Sequence, residues 1–263
     1  KCLYETLKVS HHLLLSHGEA VPIIKSNSNN SKVGITLNLT PAYPASSSEA
    51  DKRSAKLFDQ FFNTWYLNPL YGKDYPKEII ESWKNQGELK NDPDFIKEGD
   101  IDTISYPTDF LGVNYYSRAI NRCSITDEDK NLPVEIIAGE KTKFDWEVFP
   151  QGLKDLLIRI NRDYSPPSLF ITENGASYDY DVEENDHIDD VKRVEYIRSH
   201  IDACRQAISE GVPLDGYFCW SLMDNFEWAE GYYHKFGLIH VDNKTQKRIP
   251  KNSYKWYREF LSS

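Results

Sequence analysis

Ser168-Leu169-Phe170-Ile171-Thr172-Glu173-Asn174-Gly175 is a short apolar run that ends in polar residues and a glycine. An apolar run bounded by turn-forming residues predicts a buried β-strand over residues 168–172. Apolar residues then recur at steps of three or four across residues 186–210, and Gly211 follows directly. This spacing predicts an amphipathic helix, so the stretch opens a βα unit.

The same alternation of a short apolar strand and a helix occurs at three other places in the chain. The predicted pairs are strand 33–39 with helix 49–66, strand 110–116 with helix 151–162, and strand 216–222 with helix 253–261. Successive βα units build a parallel sheet. Ahead of them, the sequence predicts a helix over residues 3–17 that is broken by Gly18, and a loop over residues 25–32.

Composition and charge exclude several classes of protein. The chain has 263 residues, 40% of them hydrophobic, and a formal charge of −10, so a nucleic-acid partner is not expected. No apolar stretch reaches the roughly 20 residues that span a bilayer. We expect no membrane partner and a cytoplasmic protein, although a signal peptide lost from ahead of the chain remains open. The four separated cysteines favour neither zinc nor a disulfide framework, and we expect no metal and no cofactor.

Polar and aromatic residues follow three of the predicted strands. These are Asn114 to Tyr116, Glu173 to Gly175, and the run from Trp220 to Trp228. The carboxyl ends of parallel strands are where loops converge and where functional residues collect. Taken alone, Glu173 fits a catalytic carboxylate and a turn-capping residue equally well. The neighbouring tryptophans favour a sugar site, because pyranose rings offer apolar faces to indoles and hydroxyls to carboxylates.

Three segments in this order resemble the family 1 glycoside hydrolases, which are retaining β-glucosidases and β-galactosidases. The segments are Gly112 to Tyr116, Thr172 to Gly175, and the run from Trp220 to Gly231. The resemblance continues from His234 to Leu238 and covers nearly the whole chain. It implies that residues 1–263 are the C-terminal half of a single (β/α)8 TIM-barrel catalytic domain and supply its strands five to eight.

The resemblance also implies a catalytic group. Glu173 would attack the anomeric carbon and form a covalent glycosyl-enzyme. Tyr116 would hydrogen-bond that carboxylate, and Asn114 would help to organise the pocket for the glycone. From the residues alone, Tyr116 and Asn114 also fit an ordinary strand-end tyrosine and a turn residue.

The implied substrate-binding residues surround the sugar. Glu227 would accept hydrogen bonds from two hydroxyls, Trp228 would donate to one, and Trp220 would lie beneath the ring. Phe236 would close the side of the pocket, and Trp146 would lie beside the aglycone. Without the resemblance, Phe236 and Trp220 also fit the core, and Trp146 fits a surface aromatic.

A second catalytic carboxyl is expected from outside this sequence. Retaining glycosidases use two carboxyl groups about 5–5.5 Å apart, and the family takes its acid/base from an Asn-Glu-Pro motif that this sequence does not contain. We therefore expect half a barrel, inactive alone, whose partner is the missing N-terminal half or a second copy. The substrate would be a β-glucoside or oligosaccharide, with glucose, galactose and fucose all open. The alternative is a non-catalytic carbohydrate-binding or assembly module derived from this family.

Overall fold

A computed structural model describes residues 2–28, 30–123, 139–183 and 185–263. The elements of the first part of the chain are α1 (Leu3–Asn27), β1 (Gly34–Asn38), β2 (Ala42–Pro44), α2 (Glu49–Asp59), a π-helical turn (Gln60–Thr64), α3 (Trp65–Leu70), α4 (Lys77–Asn85), α5 (Asp100–Ile104), β3 (Phe110–Asn114) and β4 (Ala119–Asn121). Those of the second part are α6 (Pro150–Tyr164), β5 (Leu169–Asn174), α7 (Val191–Ser209), β6 (Leu214–Cys219), a 3-10 turn (Trp228–Glu230), β7 (Ile239–Val241), β8 (Arg248–Pro250) and α8 (Asn252–Leu261).

The four longer strands form one parallel sheet in the order β1-β3-β5-β6. They correspond to the four predicted strands. Short pairs accompany the sheet: β2 lies parallel to β4, with Tyr43 opposite Ile120, and β7 lies antiparallel to β8, with His240 opposite Ile249. No helix within the described ranges is long and apolar enough to cross a membrane.

The described residues fall into two compact units. The first takes its residues from Lys1–Gly112, Arg118–Ile136 and Arg159–Leu169, and the second takes them from Val113–Ser117, Ile137–Ile158 and Phe170–Ser263. The core of the first unit contains a cluster of buried apolar and aromatic side chains: Leu7, Leu57, Trp65, Tyr75, Ile79, Ile80, Trp83, Leu89 and Phe95. The second contains a cluster formed by Ala176, Tyr178, Tyr196, Ile197, Ile201 and Leu238.

The first helix is longer than the sequence predicts. It runs to Asn27, through Gly18 and Pro22, so the predicted break at Gly18 is wrong. A Cβ atom at Gly18 would lie 2.1 Å from the carbonyl oxygen of Thr103 in α5. The glycine therefore permits close packing of α1 on α5 and does not end the helix.

The helix predicted over residues 49–66 is interrupted. Helix α2 ends at Asp59, and a π-helical turn leads into α3. Within that turn, the fully buried Asn63 accepts a hydrogen bond from Thr40 N (3.0 Å) and donates one to Thr40 O (2.8 Å). Single-turn π-helical segments of this kind occur inside α-helices, and the periodicity of apolar residues does not reveal them.

Helix α7 begins later than predicted, and its buried face only partly coincides with the predicted apolar stripe. It runs from Val191 to Ser209, and Val191 and Ile208 are 52% and 48% exposed. The buried face includes the apolar Ile197 and Ile201, and it also carries three polar or aromatic side chains, Arg193, Tyr196 and His200. The prediction from apolar spacing therefore captured only part of the packed surface.

Strand β6 ends at Cys219, three residues before the predicted end at Leu222. The following residues bond to the segment that precedes β8. Leu238 N donates to Ser221 O and Ile239 N donates to Leu222 O, both at 2.9 Å. This pairing leads the chain out of the sheet and starts the loop that carries Glu227.

Candidate active site

Glu173 lies near the end of β5, where the strand alternates between buried and half-buried side chains. Leu169 and Ile171 are fully buried, whereas Thr172 and Glu173 are half-buried. Tyr115 N donates to Glu173 O at 2.9 Å, which joins the end of β3 to the end of β5. The two predicted strand ends therefore meet at one edge of the sheet.

Tyr116 is hydrogen-bonded to the carboxylate of Glu173. The tyrosine hydroxyl donates to Oε2 over 2.6 Å. Burial, followed by this hydrogen bond and the negative charge of Glu173, holds the pKa of Tyr116 well above its ordinary value. Tyr116 consequently remains a neutral donor, and its contact with Glu173 is the one that the sequence predicts.

Asn114 lies beside the same strand end. Its Oδ1 accepts a hydrogen bond from Thr172 Oγ1 at 2.7 Å. Thr172 directly precedes Glu173, so this bond joins β3 to the residue before the carboxylate. The predicted role of Asn114 towards a sugar stays a prediction.

An aromatic group packs around Tyr116. The Trp146 ring lies 5.0 Å and the Phe236 ring 6.3 Å from the Tyr116 ring, measured between centroids. Phe144 packs on Trp146 at 4.3 Å and on His234 at 4.2 Å. Trp146 therefore contacts the predicted site, and Phe144 and His234 are members of the group that the sequence did not single out.

Glu227 is a second carboxyl near Glu173. It is half-buried, and its pKa is raised, first by burial and then by the negative charge of Glu173. Its backbone N–H donates to Gly231 O at 2.6 Å, which closes the tight turn that carries it. Glu227 therefore lies close enough to Glu173 to be affected by its charge, and its predicted contact with sugar hydroxyls stays a prediction.

The two predicted tryptophans differ in their surroundings. Trp220 follows β6, and its backbone N–H donates to Asn174 O at 2.9 Å. A Cβ atom at Gly175 would lie 1.8 Å from Trp220 O, so only glycine allows this approach. Trp228 is 82% exposed, and its predicted contact with a sugar hydroxyl stays a prediction.

A buried ionic cluster holds the loop of Glu227 against the segment of Phe236. Asp224 Oδ1 accepts from Gly237 N (2.9 Å) and from Lys251 Nζ (3.0 Å), and Oδ2 accepts from the Tyr180 hydroxyl (2.6 Å). The Lys251 side chain is fully buried, and mainly this burial lowers its pKa to about 7. Because Asp224 joins residues on both segments, it fixes the spacing between Glu227 and Phe236.

Comparison with known proteins identifies the family of the chain. The model of glycosyl hydrolase family 1 matches residues 1–263. The chain belongs to this family. It is 38% identical over 265 residues to Beta-glucosidase A of Acetivibrio thermocellus, covering 100% of the chain and 58% of that relative.

Two further relatives extend the comparison of this family 1 chain. A 6-phospho-beta-galactosidase of Clostridium acetobutylicum is 34% identical, with 94% of this chain and 57% of the relative covered. The solved structure of a family 1 b-glucosidase from Thermotoga maritima superposes with a TM-score of 0.89 at 36% identity, covering 98% of this chain and 57% of that one. The chain thus spans about half the length of the relatives it matches.

The predicted fold class is confirmed. The structural neighbours are TIM barrels, and the family 1 chain covers about their C-terminal half, with its parallel strands in the sheet described above. Asn114, Tyr116 and Glu173 lie at or just after the carboxyl ends of β3 and β5, and Trp220 directly follows β6. These are the strand ends at which barrel enzymes place their chemistry.

The structure also reveals polar residues behind the site that the sequence prediction missed. Asn174 is fully buried, and its amide donates to Tyr115 O (2.8 Å) and to the Tyr196 hydroxyl (3.1 Å), while its Oδ1 accepts from the Tyr217 hydroxyl (2.7 Å).

A sequence signal for this network was present in α7, where Arg193, Tyr196 and His200 recur at helical spacing on one face. Buried polar groups require partners, so such a stripe points to a hydrogen-bond network.

Proposed function

We propose that this family 1 chain carries the nucleophile of a retaining β-glycosidase that hydrolyses β-glucosides. The observation that supports this most strongly is the 2.6 Å hydrogen bond from Tyr116 to Glu173 at the carboxyl end of a parallel strand. A carboxylate that accepts a hydrogen bond from a neutral donor is held in one orientation, as a nucleophile must be. Membership of the family supplies the reaction class, which is hydrolysis of a glycosidic bond.

In the proposed first step, Glu173 attacks the anomeric carbon. Tyr116 occupies Oε2, so we assign the attack to Oε1. The new carbon–oxygen bond forms as the bond to the leaving oxygen breaks, and a general acid protonates that oxygen. In the second step, water gives its proton to the same group and attacks the anomeric carbon, which releases the sugar and restores the Glu173 carboxylate.

Sugar recognition is assigned to the other residues of the site. Glu227 accepts hydrogen bonds from two sugar hydroxyls, and Trp228 donates to one. Trp220 forms the floor beneath the ring. Phe236 closes the side of the pocket and Trp146 flanks the aglycone, a placement that their packing around Tyr116 supports.

We infer that the glycone is not phosphorylated. One relative is named a 6-phospho-beta-galactosidase, so the family as a whole includes phosphorylated substrates. In this chain, a carboxyl with a raised pKa, Glu227, stands at the sugar-binding loop near Glu173. Glu227 is assigned to the sugar hydroxyls, so its carboxylate would repel a phosphate on the same sugar, which favours a neutral glucoside, galactoside or fucoside.

We propose that the acid/base comes from the remaining strands of the barrel. The described sheet has β1 and β6 as its outer strands, and an unpaired sheet edge invites another strand. An apolar groove of about 520 Å³ lies beside β6 and α8. Its exposed lining residues are Phe218 and Leu222 on the β6 side and Leu261 on the α8 side, and they are available to a partner. The partner is an N-terminal half-barrel that carries a glutamate in an Asn-Glu-Pro context, and self-association is the alternative.

Complementation tests this function directly. The 263-residue chain is combined with an N-terminal half-barrel from a family 1 relative, and we call the product the assembled enzyme. Cellobiose hydrolysis should appear only in the assembled enzyme, because departure of an unactivated leaving group needs the second carboxyl. The matched control is the same half-barrel with its Asn-Glu-Pro glutamate changed to glutamine, which should assemble without cleaving cellobiose.

Two outcomes would overturn parts of this proposal. Cellobiose hydrolysis by the 263-residue chain alone would mean that the acid lies within the chain. An assembled enzyme that binds glucosides without cleaving any of them, including activated aryl glucosides, would favour the carbohydrate-binding module instead.

A further inference from the structure

The hydroxyl of Tyr196, on helix α7, lies between the two strand ends of the site. It donates to Tyr116 O over 3.1 Å and accepts from Asn174 Nδ2 over 3.1 Å. The bond to Tyr116 joins it to β3's end, and the bond to Asn174 joins it to β5's end. The Tyr196 hydroxyl thus donates one hydrogen bond to the end of β3 and accepts one from the end of β5.

Both partners of this hydroxyl adjoin Glu173. Asn174 is the next residue along the chain, and Tyr116 is the residue whose own hydroxyl donates to the Glu173 carboxylate. Movement of the Tyr116 main chain would move the hydroxyl that donates to Glu173. Movement of Asn174 would move Glu173, the residue before it, and with it the accepting carboxylate. The distance between donor and carboxylate therefore depends on what holds these two residues together.

Tyr196 is itself firmly placed. It is 1% exposed, and its ring stacks on His200 with centroids 4.0 Å apart. His200 in turn bonds through Nδ1 to Tyr196 O at 2.7 Å. Burial holds the pKa of Tyr196 well above its ordinary value, so the hydroxyl keeps its proton and remains a donor.

We propose that Tyr196 is a positioning residue for the nucleophile, acting through Tyr116 and Asn174. This inference rests on the proposed function of Glu173. The hydroxyl acts together with the bonds Asn174 Nδ2 to Tyr115 O and Tyr115 N to Glu173 O. It adds the tie to Tyr116 that fixes the separation between Glu173 and its donor, and it touches neither substrate nor the reacting atoms. A displacement of about 1 Å at a reacting group can cost on the order of 100-fold in rate.

The test is Tyr196→Phe in the assembled enzyme, which keeps the ring on His200 and removes only the hydroxyl. We expect kcat for an activated aryl β-glucoside, and the rate of covalent labelling by a 2-deoxy-2-fluoro glucoside, to fall about 10- to 100-fold. KM should stay within about twofold, because the residues assigned to the sugar are untouched. The matched control is Tyr257→Phe, whose hydroxyl bonds to Tyr217 O at 3.3 Å and to neither Tyr116 nor Asn174.

A second readout does not depend on catalysis. Tyr115 N donates to Glu173 O at 2.9 Å, so its amide exchange with solvent reports whether the two strand ends stay together. Exchange should accelerate in Tyr196→Phe and remain unchanged in Tyr257→Phe.

The results separate the two proposals. If the wild-type assembled enzyme forms no covalent intermediate on Glu173, the proposed function fails, and the amide exchange alone decides the positioning role. Unchanged exchange at Tyr115 in Tyr196→Phe would overturn that role. A fall in kcat equal to that of Tyr257→Phe would overturn it as well, because it would reflect general loss of stability.

Discussion

The Tyr116 hydroxyl and the Glu173 carboxylate are joined by a hydrogen bond of 2.6 Å, with the tyrosine as donor. The two residues come from different strands, and the contact exists because Tyr115 N bonds to Glu173 O and aligns β3 with β5. A hydrogen bond to a charged acceptor contributes about 1.5–3 kcal/mol. The hydrogen bond between Tyr116 and Glu173 is therefore strong enough to affect the rate of glycoside hydrolysis.

Removing this donor should slow the enzyme. In Tyr116→Phe, kcat/KM of the assembled enzyme for an activated aryl glucoside should fall about 10- to 100-fold, which corresponds to the loss of one charge-assisted hydrogen bond. Tyr164→Phe is the control, since that hydroxyl donates to Asn68 in the first unit, at 2.9 Å. Equal activity in both variants would show that the Tyr116 hydroxyl does not support Glu173.

The two carboxyls of the site should be electrostatically coupled. The pKa of Glu227 is raised by burial and, second, by the charge of Glu173. Removing that charge in Glu173→Gln should lower the pKa of Glu227, while burial keeps it above the ordinary glutamate value. A carboxyl titration followed by ¹³C NMR measures the change.

Glu230→Gln serves as the control for this titration, because it removes a carboxyl from an exposed residue three positions further on. The Glu230→Gln change should leave the pKa of Glu227 unchanged. An unaltered Glu227 titration in Glu173→Gln would place the two carboxyls too far apart to share a sugar.

Buried Lys251 should make stability depend on pH. Its pKa in the folded protein is lowered to about 7, whereas the pKa of a lysine in the unfolded chain is about 10.4. Between these values the unfolded chain binds more protons than the folded one, so the free energy of unfolding rises with pH. The Lys251→Met variant lacks this pH-dependent contribution to the free energy of unfolding.

Urea unfolding at pH 7, 8 and 9 measures the effect. The stability of the wild type relative to Lys251→Met should increase from pH 7 to pH 9. Lys255→Met removes an exposed lysine of helix α8, four residues after Lys251. The stability of the wild type relative to Lys255→Met should stay constant over this pH range. A constant difference between wild type and Lys251→Met would mean that Lys251 keeps its proton throughout this range.

The strand ends were predictable from the sequence for a physical reason. A buried strand must be apolar, so a polar residue that follows it, such as Glu173 after Ile171, marks the place where the chain leaves the core. The four predicted strands all occur in the structure, and the residues expected at their ends gather in one unit. The order of the motifs supplied the family, which the comparisons confirm.

Other features depend on tertiary contacts that a single sequence does not display. Gly18 reads as a helix break, but it is required for the approach of Thr103, which lies 85 positions away. Tyr196 reads as one more residue of an amphipathic helix, and its importance appears only when Tyr116 and Asn174 are placed beside it. The early end of β6 arises likewise from pairing with Leu238 and Ile239.

The most direct test of the central claim is covalent labelling of the assembled enzyme by a 2-deoxy-2-fluoro β-glucoside with a good leaving group. This reagent needs a nucleophile but little acid assistance, so it isolates the role assigned to Glu173. Peptide mass spectrometry should find the sugar on Glu173 in the wild type and no label in Glu173→Gln. A label on any other residue, or undiminished labelling of Glu173→Gln, would contradict the assignment of Glu173 as the nucleophile.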